Sequence, residues 1–434
     1  MPTPLAPNVY RYGRGPTGLS VLVTNTLFAT LLATSLTSTA NAETWLNITL
    51  VEPPIEEYEF WDIPSMNQSS DLTLLAYQGW GGLSDYWRQT RFQGDDLSPL
   101  ILDAGMWVFV LPHPAIWMRN AWQQDILLEG GLTSRSNASY LWSDTTRSET
   151  YVYQLTDQDL ASFRDDDPAN FARLGSVRYE ASQNLLSELS EANFFAGATP
   201  RYRLPKAYVA ISDILSLHRC RNDEFDLPSG ESELEQDVVG YDCRHWVYEL
   251  HNPDASYEDR PGRYIAHDDL SDDEQEYLDR AFYFSFLNLL DAHYFDERNG
   301  TETFRFSFQP TPFGRTFGWH QLSLYREYQL GVDLYWQQND ERQMPAGRFS
   351  IVDYDMGSGQ FTGRVAAWQQ PDELRFDSDD TDTGWAVEAS YSQPVIPNLR
   401  LQGDWHYKSD GWYPGYASLQ SGSGWRFGVD IQLF

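Results

Sequence analysis

The stretch from Phe304 to Phe434 restricts the fold more than any other, because it is one amphipathic strand after another. In 385–391, Trp385, Val387, Ala389 and Tyr391 alternate with Ala386, Glu388 and Ser390. In 399–407, Leu399, Leu401, Gly403, Trp405 and Tyr407 alternate with Arg400, Gln402, Asp404 and His406. Successive side chains of a strand point to opposite faces, so each run has an apolar and a mostly polar face. Pro394 and Pro397 confine the link between these two runs to a tight turn. The run 425–434 obeys the same rule, with Trp425, Phe427, Val429, Ile431 and Leu433 on one side. Runs at 304–309, 321–336, 347–354 and 361–368 bring the total to seven.

The connections alternate in length. Those at 311–318, 355–360 and 394–397 are short, whereas those at 337–346, 370–383 and 408–423 are longer and polar or acidic. Short turns on one side, long loops on the other and aromatic residues at strand ends are the pattern of a membrane β-barrel, which closes on itself to leave no unpaired backbone edge in lipid. A soluble antiparallel sheet alternates in the same way, with a core in place of lipid. Two residues favour that alternative. Arg326 falls on the apolar phase of the run 321–336, where a lipid-facing arginine costs roughly 2–4 kcal/mol, and Phe434 is one residue out of step with the final apolar phase.

Residues 1–42 read as an export signal: Arg11 and Arg14 precede an apolar stretch over 19–36, and Ala40, Asn41 and Ala42 form a small-residue cleavage site. No cysteine stands beside that site, which argues against a lipid anchor, and no later run of about 18 apolar residues suits a membrane helix. The expected mature chain, 434 minus 42, has 392 residues, room for two domains. Loss of Arg11 and Arg14 takes the formal charge from −33 to −35, a poor match to nucleic acid, which calls for a basic footprint.

The two cysteines, Cys220 and Cys243, read as one disulfide, worth about 3 kcal/mol by the loop-entropy argument; without CxxC spacing a metal site is the weaker alternative. Between Glu43 and about Gly300 the pattern is α+β. Strands are expected at 43–51, 107–111, 151–155 and 207–217, and helices at 157–174, 182–195 and 271–295. Ser271 and Glu274 make a capping box for the last helix, whose middle, 281–290, is apolar on nearly every side and is expected to be buried.

Candidate chemistry is sparse. The chain carries no GxSxG, HExxH, P-loop or GxGxxG motif, and nothing in it calls for a cofactor or a metal. The acidic run 377–382 reads as a solvated loop, lacking the glycine and final glutamate of a calcium loop. His320 beside Ser323 forms a candidate hydrolase pair, His293 on the apolar helix a candidate base, and His267 is followed by Asp268 and Asp269; for each, an ordinary hydrogen-bonded or surface histidine is the bland reading. Trp80, Trp87 and Trp107, with Trp117 and Trp122 nearby, suit either a glycan-stacking surface or a packed core.

The last 50 or so residues, through the turn and strand 394–401 and the terminal Phe434, resemble the closing strands of bacterial outer-membrane β-barrel proteins. Gly318, Leu322, Leu324, Arg326, Leu330 and the stretches 332–334 and 356–359 are similar to the C-terminal pattern of CsiV-type peptidoglycan-binding periplasmic proteins, although Phe361 to Val365 stand where that pattern continues differently. The first resemblance implies an outer membrane location and membrane lipids as partners. The second implies a periplasmic protein that binds peptidoglycan and assists cell-wall synthesis.

The sequence thus reads as a signal peptide (1–42), an α+β periplasmic or plug-like region with one disulfide (43–300) and an antiparallel β-region (301–434), closed as a small barrel or left as a soluble sheet. Seven strands are odd for a bacterial barrel, and 207–217 is the expected source of the eighth. A non-enzymatic structural or interaction role in the cell envelope is the first expectation, with an envelope protein as a conceivable partner. Peptidoglycan binding is the second, and an outer-membrane hydrolase the third.

Overall fold

The computed structural model describes residues 45–51, 63–90, 105, 112–138, 151–195, 202–222, 231–292 and 301–432. The export signal, the candidate strand 107–111 with Trp107, and His293, Leu433 and Phe434 lie outside these residues.

In chain order the elements are β1 (Trp45–Val51), α1 (Met66–Thr90), α2 (Pro112–Glu129), β2 (Arg135–Ser136), β3 (Val152–Tyr153), α3 (Asp157–Asp166), α4 (Pro168–Phe195), α5 (Arg203–Cys220), α6 (Asp242–His251) and α7 (Asp272–Ser285). Eight strands follow: β4 (Glu302–Thr311), β5 (Gly314–Tyr325), β6 (Tyr328–Gln338), β7 (Gln343–Met356), β8 (Gly359–Pro371), β9 (Thr381–Ile396), β10 (Leu399–Lys408) and β11 (Gly422–Gln432). An N-terminal region of helices with a small β2–β3 ribbon therefore precedes an all-antiparallel sheet, as the sequence indicated.

α4 is the axis of the helical region. It starts where Pro168 suits a first helical turn, with Asp167 accepting a hydrogen bond from the Asn170 backbone N–H, and it then runs unbroken for 28 residues. The expected helices 157–174 and 182–195 are thus α3 and α4, parted at Asp167. Phe171, Leu174, Val177, Leu185 and Leu189 of α4 share one core with Trp122 and Ile126 of α2 and Tyr77 of α1. On another side α4 meets α6 so closely that a Cβ at Gly175 would lie 2.5 Å from the Asp242 carbonyl oxygen. A second core joins α5, α6 and α7 to the sheet through Leu217, Trp246, Leu278 and Phe308, and the Cys220–Cys243 disulfide ties the end of α5 to the start of α6.

Two expectations for this region fail. Residues 207–217 belong to helix α5, not a strand: its buried positions Lys206, Val209, Ala210, Asp213, Ile214 and Leu217 recur every three to four residues. The capping box of Ser271 and Glu274 is present, but the helix ends at Ser285, passes into a 3-10 turn (Phe286–Leu289), and leaves Tyr283, Phe286 and Leu290 exposed.

The large sheet has nine strands in the order β1-β11-β10-β9-β8-β7-β6-β5-β4. The extra strand comes from 45–51, where Trp45 pairs with Gln432. β1 and β4 are its two edges and are not hydrogen-bonded to each other, so the sheet stays open. α1 packs along β1, while the β4 edge meets 290–291 through the Phe306 N–H to Leu290 carbonyl bond and an Asp291–Arg305 bridge.

The run 321–336 is two strands, not one. Arg326 and Glu327 form the turn between β5 and β6, with Arg326 at φ 58°, so its charge stands at a hairpin tip and not in mid-strand. At that end of the sheet all three connections have two residues: 326–327, 357–358 and 397–398. At the other end they lengthen from 312–313 through 339–342 and 372–380 to 409–421. The longest of these loops lies against α4: Arg173 donates to the carbonyls of Tyr416 and Ala417, and Glu180 accepts from Trp412 Nε1 and the Gly415 N–H.

Candidate functional site

The two faces of this sheet have the reverse of the usual polarity. Phe304, Trp336, Val365, Trp385, Leu401 and Trp425, spread over six strands, stand on the outer face and are 48 to 57 % exposed. The face turned toward α1 and α4 is polar instead: Arg305, His320 and Asp333 are buried there, and Arg348, Arg364 and Glu388 lie beside them, while at the β4–β5 corner the outer face is itself covered, Phe308 and Phe317 packing against Phe284 of α7. The alternation read from the sequence is real, and on β6 to β11 its polar phase points inward, whereas on β5 Leu322 of the apolar phase is buried on the inner side with His320.

Side chains of α1, α4 and strands β6 to β11 together line an inner cavity of about 490 Å³. Charges meet across it. Arg364 lies 3.3 Å from Glu191 of α4 and 3.5 Å from Glu388 of β9, which also accepts from the Tyr416 hydroxyl at 2.9 Å. Burial and the charge of Asp71 raise the pKa of Glu188, on α4, to about 8.

A smaller cavity of about 60 Å³ adjoins it between α4 and strands β4 to β8, sharing Asn184, Ser187, Arg348 and Tyr413 with the larger one. One continuous hydrogen-bond chain runs along its wall. Ser307 Oγ lies 2.8 Å from His320 Nε2, His320 Nδ1 lies 2.7 Å from Asp333 Oδ1, and Arg348 Nε donates to Asp333 Oδ2 at 2.6 Å.

Register brings these residues together. The β4–β5 pairing sets Arg305 opposite His320 and Ser307 opposite Gly318, and the β5–β6 pairing sets His320 opposite Asp333. Ser323, the partner expected from sequence, is three residues from His320 and so points to the opposite face, where Gln321 Nε2 donates to it. Ser307, Asp333 and Arg348 were not singled out by the sequence. They become findable once the turns at 312–313 and 326–327 are placed, because each turn fixes which residues oppose one another.

The other candidates are scattered. Trp80 packs half-buried against the helical core, and Trp87 lies within α1. Trp122 is fully buried, with its Nε1 donating to the Met66 carbonyl, so this part of the tryptophan cluster is core. His267 sits in a surface turn 4.0 Å from Asp268. In the acidic run, Asp377 pairs with Arg375, which also reaches Asp254. Among the described residues no group of three or more His, Cys, Asp or Glu is placed to hold a metal ion, and no helix is long and apolar enough to cross a membrane. No family model, curated protein or solved structure matches the chain.

Proposed function

We propose that this is a cell-envelope protein whose sheet lies with its outer face in the hydrocarbon of a bacterial outer membrane, and whose role is structural or interactive. The carrying observation is the inverted polarity of the sheet. A soluble sheet buries its apolar face and wets its polar one, whereas here Trp336, Val365, Trp385 and Trp425 face out while Arg305 and Asp333 are inside. Scattered exposed apolar residues need no explanation, but a face of them across six strands does. The position of Arg326 at a hairpin tip removes one of the two features that favoured a soluble sheet. Helix α1 along β1 and the segment 290–291 along β4 give the two edges protein neighbours, which suits a sheet in lipid. With α4 and its ion pairs filling the inner side, transport through a wide pore fits poorly.

The open seam between β1 and β4 favours a second reading. A periplasmic protein of the same shape would offer Trp336, Trp385 and Trp425 for stacking on the sugar rings of peptidoglycan. Flotation separates the two. The full chain is mixed with phosphatidylcholine vesicles, washed with carbonate and centrifuged up a density gradient. Flotation with the vesicles is expected. Complete recovery in the soluble fraction, with sedimentation on purified sacculi, would overturn the membrane reading in favour of the second.

A further inference from the structure

The chain Ser307–His320–Asp333 has the composition and order of an activated nucleophile, and its protonation can be worked out from its surroundings. Asp333 is held ionised by Arg348, so it accepts, and His320 Nδ1 must carry the proton it receives. The other ring nitrogen, Nε2, is then an acceptor, and the Ser307 hydroxyl donates to it at 2.8 Å. That is the tautomer in which an imidazole can take a serine proton. All three side chains sit on rigid strands and are 5 to 6 % exposed. Gly318 makes room for the pair: a Cβ there would come within 2.2 Å of Ser307 Oγ and 2.8 Å of His320 Nε2.

The adjoining space points to a ligand of a particular size. The small cavity is lined by Ser307 and His320 and also by Gln183, Thr316 and Gln337, whose buried Nε2, Oγ1 and Oε1 atoms have no hydrogen-bond partner. Buried polar atoms of this kind ordinarily find one. At about 60 Å³, the cavity has room for roughly four or five water-sized groups, which admits an acetyl group and excludes a long acyl chain. Arg305, opposite His320 in the register, supplies a fixed positive charge within the same walls.

We infer that Ser307 and His320 hydrolyse a short-chain O-acyl ester, with Asp333 as the positioning residue that holds the imidazole. Ser307 Oγ bonds to the acyl carbon as its proton passes to His320 Nε2, and the carbonyl oxygen takes up negative charge beside Arg305 and Gln183 Nε2. The carbon–oxygen bond to the alcohol then breaks, and the alcohol leaves with the proton held by His320. Water repeats the sequence on the acyl-serine and releases the carboxylic acid, so ester and water give acid and alcohol. The alcohol part extends toward the larger cavity. This inference stands on the inner face alone and does not depend on whether the outer face meets lipid.

The test begins with covalent trapping. The full chain, folded in detergent micelles, is incubated with methanesulfonyl fluoride, small enough for the cavity, and digested for peptide mass spectrometry. One methanesulfonyl adduct, on Ser307, is expected. The protein should also hydrolyse 4-nitrophenyl acetate but not the octanoate, and Ser307→Ala should remove both adduct and turnover. Asp333→Asn should keep Ser307 in place yet lower turnover about 10³- to 10⁴-fold. A folded wild-type chain with no adduct on Ser307, or with acetate turnover no faster than Ser307→Ala, would overturn the assignment.

Discussion

Val365 offers the sharpest measurement of what the outer face touches. It is the seventh of thirteen residues in β8, 50 % exposed, with Phe349 and Val387 as its cross-strand neighbours. At about 3.3 Å per residue it stands roughly 20 Å along the strand from either end, or about 15 Å in depth once the usual barrel tilt is allowed for. An apolar band about 25 Å tall would therefore place it near the middle. Met356, 57 % exposed at the end of β7 beside the turn 357–358, would lie at the boundary. In lipid, Val365→Arg should cost about 2–4 kcal/mol and Met356→Arg about 0–1 kcal/mol. In water both should stay within about 0.5 kcal/mol, as surface substitutions do. Val365→Gln loses the same branched side chain without adding charge, so its difference from Val365→Arg isolates the charge. Urea unfolding of the vesicle-bound protein, followed by tryptophan fluorescence, reads all three. Equal and small costs for the two arginine variants would refute the argument.

The remaining predictions concern the interior. Protonation of Glu188 on α4 is favoured by folding, because its pKa is raised to about 8 from an ordinary 4.5. Its stabilising contribution is therefore complete below the unfolded pKa and is lost as pH rises through the folded one, so Glu188→Gln should flatten the loss of stability measured by urea titration between about pH 4.5 and 8. Glu180→Ala should cost about 3–5 kcal/mol, because it leaves Arg173 buried beside a missing carboxylate, and limited proteolysis should then cut within 409–421 before any other loop. Cys220→Ser should lower stability by about 3 kcal/mol in non-reducing buffer and by nothing in dithiothreitol, relative to wild type in the same buffer.

The strands were legible because alternation survives either orientation of the sheet, and the same fact hid which face was inside. Trp385 and Leu401 alternate with Glu388 and Arg400 whether the core is apolar or polar. The turn at Arg326 was hidden for two reasons. It contains neither Gly, Pro nor Asn, and a two-residue turn reverses the parity of the inward positions while leaving the apolar spacing intact. Leu322 is buried on the inner face, whereas Leu334 and Trp336, in the same sequence phase, are exposed on the outer one. Helix α5 was misread because two of its buried positions are charged. Lys206 pairs with Asp291, and Asp213 pairs with Arg119, so the helical period is invisible to a hydrophobic count. His320 was recognisable as a candidate, but its partners follow from strand register, which one misplaced turn is enough to scramble.

The seam between β1 and β11 sets a timetable for folding. Trp45 and Gln432 are neighbours in the sheet but stand 387 positions apart in the chain, whereas most of the sheet is zipped up from hairpins between consecutive strands. Closing so long a loop costs about 3 kcal/mol more than closing one of a dozen residues, at about 0.6 kcal/mol for each of five doublings. Local hairpins should therefore form first, and β1 should dock last, after β11 exists to receive it. Until then β1 can lie along α1, so the helical region serves as a holding site for the strand that completes the sheet. A chain cut short before β11 would leave that strand without its partner and mark itself as unfinished.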